Sequence, residues 1–496
     1  MNTSATTQSS PAAPTDIARL AGRGTIYITA AKVWFILSGL GLHFALPRLM
    51  TAEEFGLYQV VIGVVSIINA VIITGTYQTV SKYISQQPDR ADSVKWKSLR
   101  LQTLVGGGIA AGFFLLAPLT ARYLNDERLT GWLRIASLIT LSYSFYAVFT
   151  GYFNGQKKFL AQSSLDMTYS TLKLGFILLL VWLGYGVAGG VGGFALAAAT
   201  ILAISAVAAR SGARRGEVRA SDLLRFQSYL LLFTLTLNLL QKVDLILIKS
   251  LSSPDATTAS ENAAFYGAAI NLANITYQII ISVTFVIFPL ISEATFANDR
   301  EKTRAYISNT MRYTLMIMAP AAALFSANAS EALRVVYPEA YQAGGAALGV
   351  VAFGMMFFGA LHVTTTMISA SGRPVVSLAI GALTLTTSVA LNALLIPRMG
   401  IAGAALGTTA AMAAGAAVGG VYLFAKFGAL MPLKSAVRIT LCAAIVYGAT
   451  LIFVTASRVL IVIQLAAGVV LYFILLVLTG ELGRDDLVAV KKVVKA

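Results

Sequence analysis

The chain has 496 residues, of which 57% are apolar and 12% charged, and its mean hydropathy is +0.76. Soluble chains run nearer 45–50% apolar and about 25% charged, so a soluble enzyme, a disordered chain and a fibrous one are all excluded. Cys442 is the only cysteine, which leaves no intramolecular disulfide. The net charge of +16 does not indicate nucleic-acid binding, because surplus Lys and Arg in a membrane chain gather in cytoplasmic loops beside anionic headgroups.

Residues 1–24 are polar, lack the apolar centre of a cleavable signal, and are expected to form a cytoplasmic tail. Fourteen apolar stretches of about 20 residues follow, each the length of a membrane helix. Their limits lie near 25–47, 57–79, 99–121, 133–153, 163–183, 187–209 and 228–249, then 263–291, 310–328, 342–369, 374–396, 401–424, 435–456 and 459–480. The runs are unbroken rather than alternating, which excludes a β-barrel. An all-α polytopic membrane protein is expected, and the connections are too short to hold a soluble domain.

Basic residues set the orientation. With the N-terminus inside, 26 Lys and Arg fall in inside segments and eight outside (Arg48, Arg122, Arg128, Arg134, Lys249, Arg334, Arg398 and Arg458). Both termini are therefore expected in the cytoplasm, with the chain in the cell inner membrane.

Landmarks repeat along the chain. Glu53–Glu54–Phe55–Gly56–Leu57–Tyr58 opens helix two, and Glu261–Asn262–Ala263–Ala264–Phe265–Tyr266 opens helix eight. Gly155–Gln156–Lys157 recurs as Ser371–Gly372–Arg373, and Gly186–Val187–Ala188–Gly189–Gly190 as Gly400–Ile401–Ala402–Gly403–Ala404. The offsets are 208, 217 and 214 residues. Two six-helix bundles in parallel pseudo-repeat are expected, an N-lobe at 25–209 and a C-lobe at 228–424. A cytoplasmic linker at 210–227 joins them, two further helices occupy 425–480, and 481–496 forms a cytoplasmic tail. Parallel repeats are a transporter arrangement, with the substrate site between the halves.

Soluble-enzyme motifs fail on context. Gly184–Tyr185–Gly186–Val187–Ala188–Gly189 matches G-x-G-x-x-G, but it reads as a turn between membrane helices, with no βαβ unit around it. No Gly-Lys pair exists for a phosphate loop, and neither His43 nor His362 has a ligand partner at metal spacing. No catalytic residue, metal site or cofactor is expected.

Charges inside the spans are costly in lipid and face a cavity or a partner. Lys32 lies in helix one, Lys173 in helix five, and Lys242 with Asp244 in helix seven; Arg48 ends helix one. Lys32, Gly39 and His43 share one stripe of helix one. Asp166, Ser170 and Lys173 share a face of helix five, which also admits a plain packing pair between Asp166 and Lys173. Asn69, Asn238, Asn271, Asn274, Gln278 and Asn392 supply polar positions for a cleft lining, although such residues most often bond helix to helix. Three lysines against one deep aspartate leave a positive interior suited to an anion.

Pro47–Arg48–Leu49 with Glu54–Phe55–Gly56–Leu57–Tyr58, Asp244, Phe288–Pro289–Leu290, Asn392, Ile396–Pro397 and Gly400–Ile401–Ala402–Gly403–Ala404 resemble the multidrug/oligosaccharidyl-lipid/polysaccharide (MOP) exporter superfamily. The likeness covers nearly the whole chain, and fourteen helices is the count of the polysaccharide and lipid II flippase branches. It implies flipping of an undecaprenyl-diphosphate-linked oligosaccharide by alternating access for cell-surface polysaccharide biosynthesis. Lys32, Lys173, Lys242 and Arg48 would attract the diphosphate. Coupling to a proton or sodium gradient is implied, with Asp244 and His43 as candidates, and a polysaccharide polymerase and co-polymerase as partners. A lipid II flippase is the alternative. A drug or cation antiporter fits less well, since it would need an acidic cavity, and a non-transporting receptor would not need duplicated bundles with buried charges.

Overall fold

The computed structural model describes residues 14–209, 220–453 and 457–483. The expected tail as far as residue 13, linker residues 210–219 and the tail from residue 484 lie outside these. In chain order the helices are α1 (Pro14–Leu49), α2 (Ala52–Gln86), α3 (Ala91–Tyr123), α4 (Leu129–Gly155), α5 (Phe159–Leu180), α6 (Gly186–Ala208), α7 (Ala220–Leu240) and α8 (Val243–Leu251). Then come α9 (Ala256–Phe296), α10 (Arg300–Ala327), α11 (Ala329–Val336), α12 (Gly345–Ala370), α13 (Pro374–Phe427), α14 (Leu433–Ile452) and α15 (Arg458–Leu478). Nine helical stretches among the described residues are long and apolar enough to cross a membrane. Leu115, Trp182, Val375 and Leu433 are all more than 70% exposed, the apolar outer surface of a multi-pass membrane protein.

Local chemistry sets the helix ends. Thr51 and Glu54 form a capping box that starts α2. Asp255 and Asp299 accept backbone N–H groups at the starts of α9 and α10. The 54-residue α13 would run about 80 Å if straight. It turns back at Gly400, whose φ of 56° is open to glycine at little cost. Asn392 and Thr408, each eight residues from the turn, then meet through a 3.0 Å hydrogen bond. The passage from α5 into α6 reverses in the same way, through Gly184 and Gly186 at positive φ.

Two sets of helices result. In the first, α3 packs on α4, α1 runs along α5, and α2, α5 and α6 gather around α4. In the second, α9, α10 and α13 surround α12, and α8 packs on α9 and α13. The sets meet mainly where α2 lies against α7 and α9. Of the last two helices, α14 packs on α10, and α15 on α14 and α11. One expected span is corrected: helix seven is not continuous, because the chain turns at Gln241–Lys242 between α7 and α8.

Candidate functional site: a cationic group beside a closed seam

Three of the expected residues come together. His43 of α1, Lys173 of α5 and Lys242 of the α7–α8 turn lie close enough for both lysines to act electrostatically on the imidazole. Lys173 and Lys242 thus approach from different helix sets. The Lys173 ammonium lies 4.6 Å from the Phe194 ring centroid and 5.8 Å from that of Phe35, and neither lysine forms an ion pair among the described residues. The plain packing pair between Asp166 and Lys173 is not formed. Asp166 accepts instead from the Tyr146 hydroxyl at 2.8 Å and lies within electrostatic reach of Lys32.

The remaining expected residues separate into other surroundings. Asp244 has no exposed surface and does not face a cleft. Its carboxylate accepts from the Tyr266 hydroxyl at 2.6 Å, the Thr408 hydroxyl at 3.2 Å and the Leu245 N–H at 2.8 Å. Asn392 is equally buried and donates to Thr408 Oγ1 and to the Ser388 carbonyl, so it belongs to that cluster and not to a cleft lining. Asn238 donates within its own helix to Thr234. Asn69 and Asn274 keep buried side-chain oxygens without a hydrogen-bond partner, and Gln278 is exposed. Arg48 is at the end of α1, stacked on Phe44, and donates to the Phe44 and Val336 carbonyls.

Arg48 is one of several contacts that close one end of the molecule between the two sets. At Gly56 a Cβ would strike the Ser260 carbonyl, so α2 and α9 touch there backbone to backbone. Phe55 packs on Tyr337 and Tyr341 at centroid distances of 6.4 and 5.9 Å. Lys249, fully buried at the end of α8, donates to Asp126 Oδ2 at 3.0 Å, the Ala256 carbonyl at 2.9 Å and Ser260 Oγ at 2.8 Å. Arg128 bridges Asp126 and Glu53, each at 2.8 Å, and the Thr257 hydroxyl donates to Glu53. Burial alone would push the Asp126 carboxyl up, but the hydrogen bonds from Arg128 and Lys249 outweigh it and hold the group below its ordinary range.

Sequence reasoning missed this ion cluster. Lys249 read as one loop cation among eight, and Asp126 carried no pattern. The one available signal was that both fell at expected outside ends of helices.

A lipid II flippase, MurJ, in an inward closed conformation superposes with a TM-score of 0.73 at 16% identity, over 92% of this chain and 99% of that one. A multidrug resistance MATE transporter of the MOP superfamily in an inward-facing conformation gives a TM-score of 0.67 at 16% identity, covering 79% of this chain and 94% of the other. A MOP superfamily transporter from Pyrococcus furiosus gives 0.62 at 16% identity, over 82% and 95%. A curated relative, the uncharacterized membrane protein MJ1068 of Methanocaldococcus jannaschii, is 28% identical over 147 residues, and the chain spans 29% of its length. The fold is that of MOP superfamily transporters, and the apolar helices make the chain a multi-pass membrane protein. It belongs to the polysaccharide biosynthesis protein family, whose model matches residues 45–344.

Proposed function

We propose that the protein flips undecaprenyl-diphosphate-linked oligosaccharide units from the cytoplasmic to the periplasmic leaflet of the inner membrane, by rocking of the halves 25–209 and 228–424. The observation that carries this is that Lys173 and Lys242, from different helix sets, both act electrostatically on His43 while neither forms an ion pair among the described residues. Asp166 and Asp244 each spend their oxygens on hydrogen bonds elsewhere. Asp244 lies within electrostatic reach of Lys242 without an ion pair between them, and Lys173 has no such carboxylate among the described residues. The two lysines together keep a net positive charge that favours a compact polyanion such as a diphosphate and disfavours a cationic drug. The glycan would occupy water between the halves while the polyprenyl chain stays in lipid, since a polar glycan cannot cross about 30 Å of hydrocarbon alone. Lys32 would offer a further cation on the same helix as His43. The closed end lies on the periplasmic side by the basic-residue bias, so the cleft would face the cytoplasm in this state. Asp244 is the coupling candidate for a proton or sodium ion.

The test is transport of fluorescent undecaprenyl-diphosphate-linked sugar in reconstituted vesicles. Lys173→Ala and Lys242→Ala should each cut the rate about tenfold or more, as expected when a charged hydrogen bond of about 1.5–3 kcal/mol is lost. Lys→Arg should be milder because charge is kept. Wild-type rates from the double alanine variant at equal protein would refute the electrostatic role, and parallel vesicles carrying lipid II report whether the glycan is discriminated.

A further inference from the structure

His43 stands where the cationic group meets the closed seam, and its hydrogen bonding fixes which ring nitrogen serves which side. On α9, Ser260, Gly267 and Asn271 share one face at spacings of seven and four. On α2, Gly56 and Gln59 share another. Gly56 abuts the Ser260 carbonyl, and a Cβ on Gly267 would meet the Gln59 amide. Asn271 Nδ2 forms the innermost rung, donating to Gln59 Oε1 at 3.0 Å and to His43 Nδ1 at 3.2 Å. An amide nitrogen only donates, so Nδ1 accepts and the ring proton sits on Nε2. No hydrogen bond reaches Nε2 among the described residues, although the residue as a whole is only half-buried. The charged groups acting on it are Lys173 from α5 and Lys242 from the α7–α8 turn, while Gln59 and Asn271 are neutral.

We propose that His43 is a positioning residue that couples occupancy of the cleft to release of the seam, with Nδ1 holding Asn271 across the helix sets and Nε2–H donating to an anion lodged between Lys173 and Lys242. An anion that draws the ring toward the lysines takes from Asn271 one of its two acceptors. Occupancy then weakens the seam by a contact the empty state keeps, which is the differential interaction a ligand needs in order to shift a conformational equilibrium. The proposal rests on the anion reading of the cleft for its ligand, but the seam contact is independent of that reading.

Spin labels at Glu127→Cys and Glu339→Cys, both exposed at the closed end, in a Cys442→Ala background would report the separation of the two sets by pulsed EPR. Without ligand, His43→Ala should raise the ratio of long to short distances about three- to tenfold, the effect of one hydrogen bond on an equilibrium. Undecaprenyl diphosphate should raise it in wild type and add little in His43→Ala. His43→Gln, which keeps an acceptor and a donor, should stay near wild type. Asn271→Ala removes this bond together with the one to Gln59, so it should raise the ratio at least as far as His43→Ala, and the double variant should add nothing to Asn271→Ala; it carries the test if His43→Ala fails to fold. An unchanged ratio in ligand-free His43→Ala and Asn271→Ala would overturn the proposal at the seam. A wild-type protein that does not respond to undecaprenyl diphosphate while His43→Ala opens would overturn it through the anion reading instead.

Discussion

The Lys249 side chain has no exposed surface, and that of Asp126, its partner 123 positions earlier in the chain, is 3% exposed. Removing one member of a buried pair leaves the other uncompensated and costs about 3–5 kcal/mol, whereas replacing both by uncharged groups is far milder. Asp126→Asn and Lys249→Met should therefore each lower the thermal midpoint in detergent and widen the closed end, and the double variant should recover most of both losses. Additive losses in the double variant would show that the two side chains act separately. Acid provides a second check. The Asp126 carboxyl is held below its ordinary value, so its contribution is fully present above an unfolded value of about 4 and is lost as pH falls through the lower folded value. The closed end should be constant from neutrality to about pH 4 and loosen only below it. Little of this was legible in the chain, because a lysine at a helix end and an aspartate in a turn are ordinary solvated residues until two helices bury them together.

Asp244 binds three elements, accepting from Leu245 on its own α8, Tyr266 on α9 and Thr408 on α13. If those bonds serve only packing, Asp244→Asn should lower the yield of folded protein. If the carboxylate also exchanges a cation, Asp244→Asn should fold normally, yet transport should no longer respond to an imposed proton or sodium gradient. An unchanged gradient response in vesicles would sink the coupling role. The places of the apolar helices were readable, since apolar runs are local signals, but α1, α2, α9 and α10 extend well past the expected limits into their polar ends. The break between α7 and α8 was not readable. A two-residue turn flanked by apolar residues vanishes in a 20-residue hydropathy window, and the same window cannot tell whether Asp244 points into a cleft or into its own half.

Across the whole molecule the helices bring residues 48–56, 125–128, 249–260 and 336–341 to one end. On the orientation proposed from the bias of 26 basic residues against eight, that end would lie outside the cytoplasm. A single cysteine at Ser253, in the Cys442→Ala background, should react with an impermeant reagent applied from the periplasm. One at Lys158, exposed beyond α4, should react only after permeabilisation. The reverse pattern would invert the orientation and with it the direction assigned to the closed end.

Composition and hydropathy by themselves determined the membrane class and the helical architecture, because lipid demands long apolar helices; the superfamily came from the likeness of particular motifs, such as Glu54–Phe55–Gly56–Leu57–Tyr58, to a known family. That lysines lie within the apolar runs was legible too, and each needs an anion, a partner or water. Only the tertiary structure decided which charges meet. Lys173 and Lys242 converge on His43, while Asp166 and Asp244 are drawn into separate hydrogen-bonded clusters. Lys249 leaves the solvent for a buried pair with Asp126. Those outcomes depend on how helices far apart in the chain are rotated and set in depth against each other, and periodicity along a single helix carries no information about its neighbour's register.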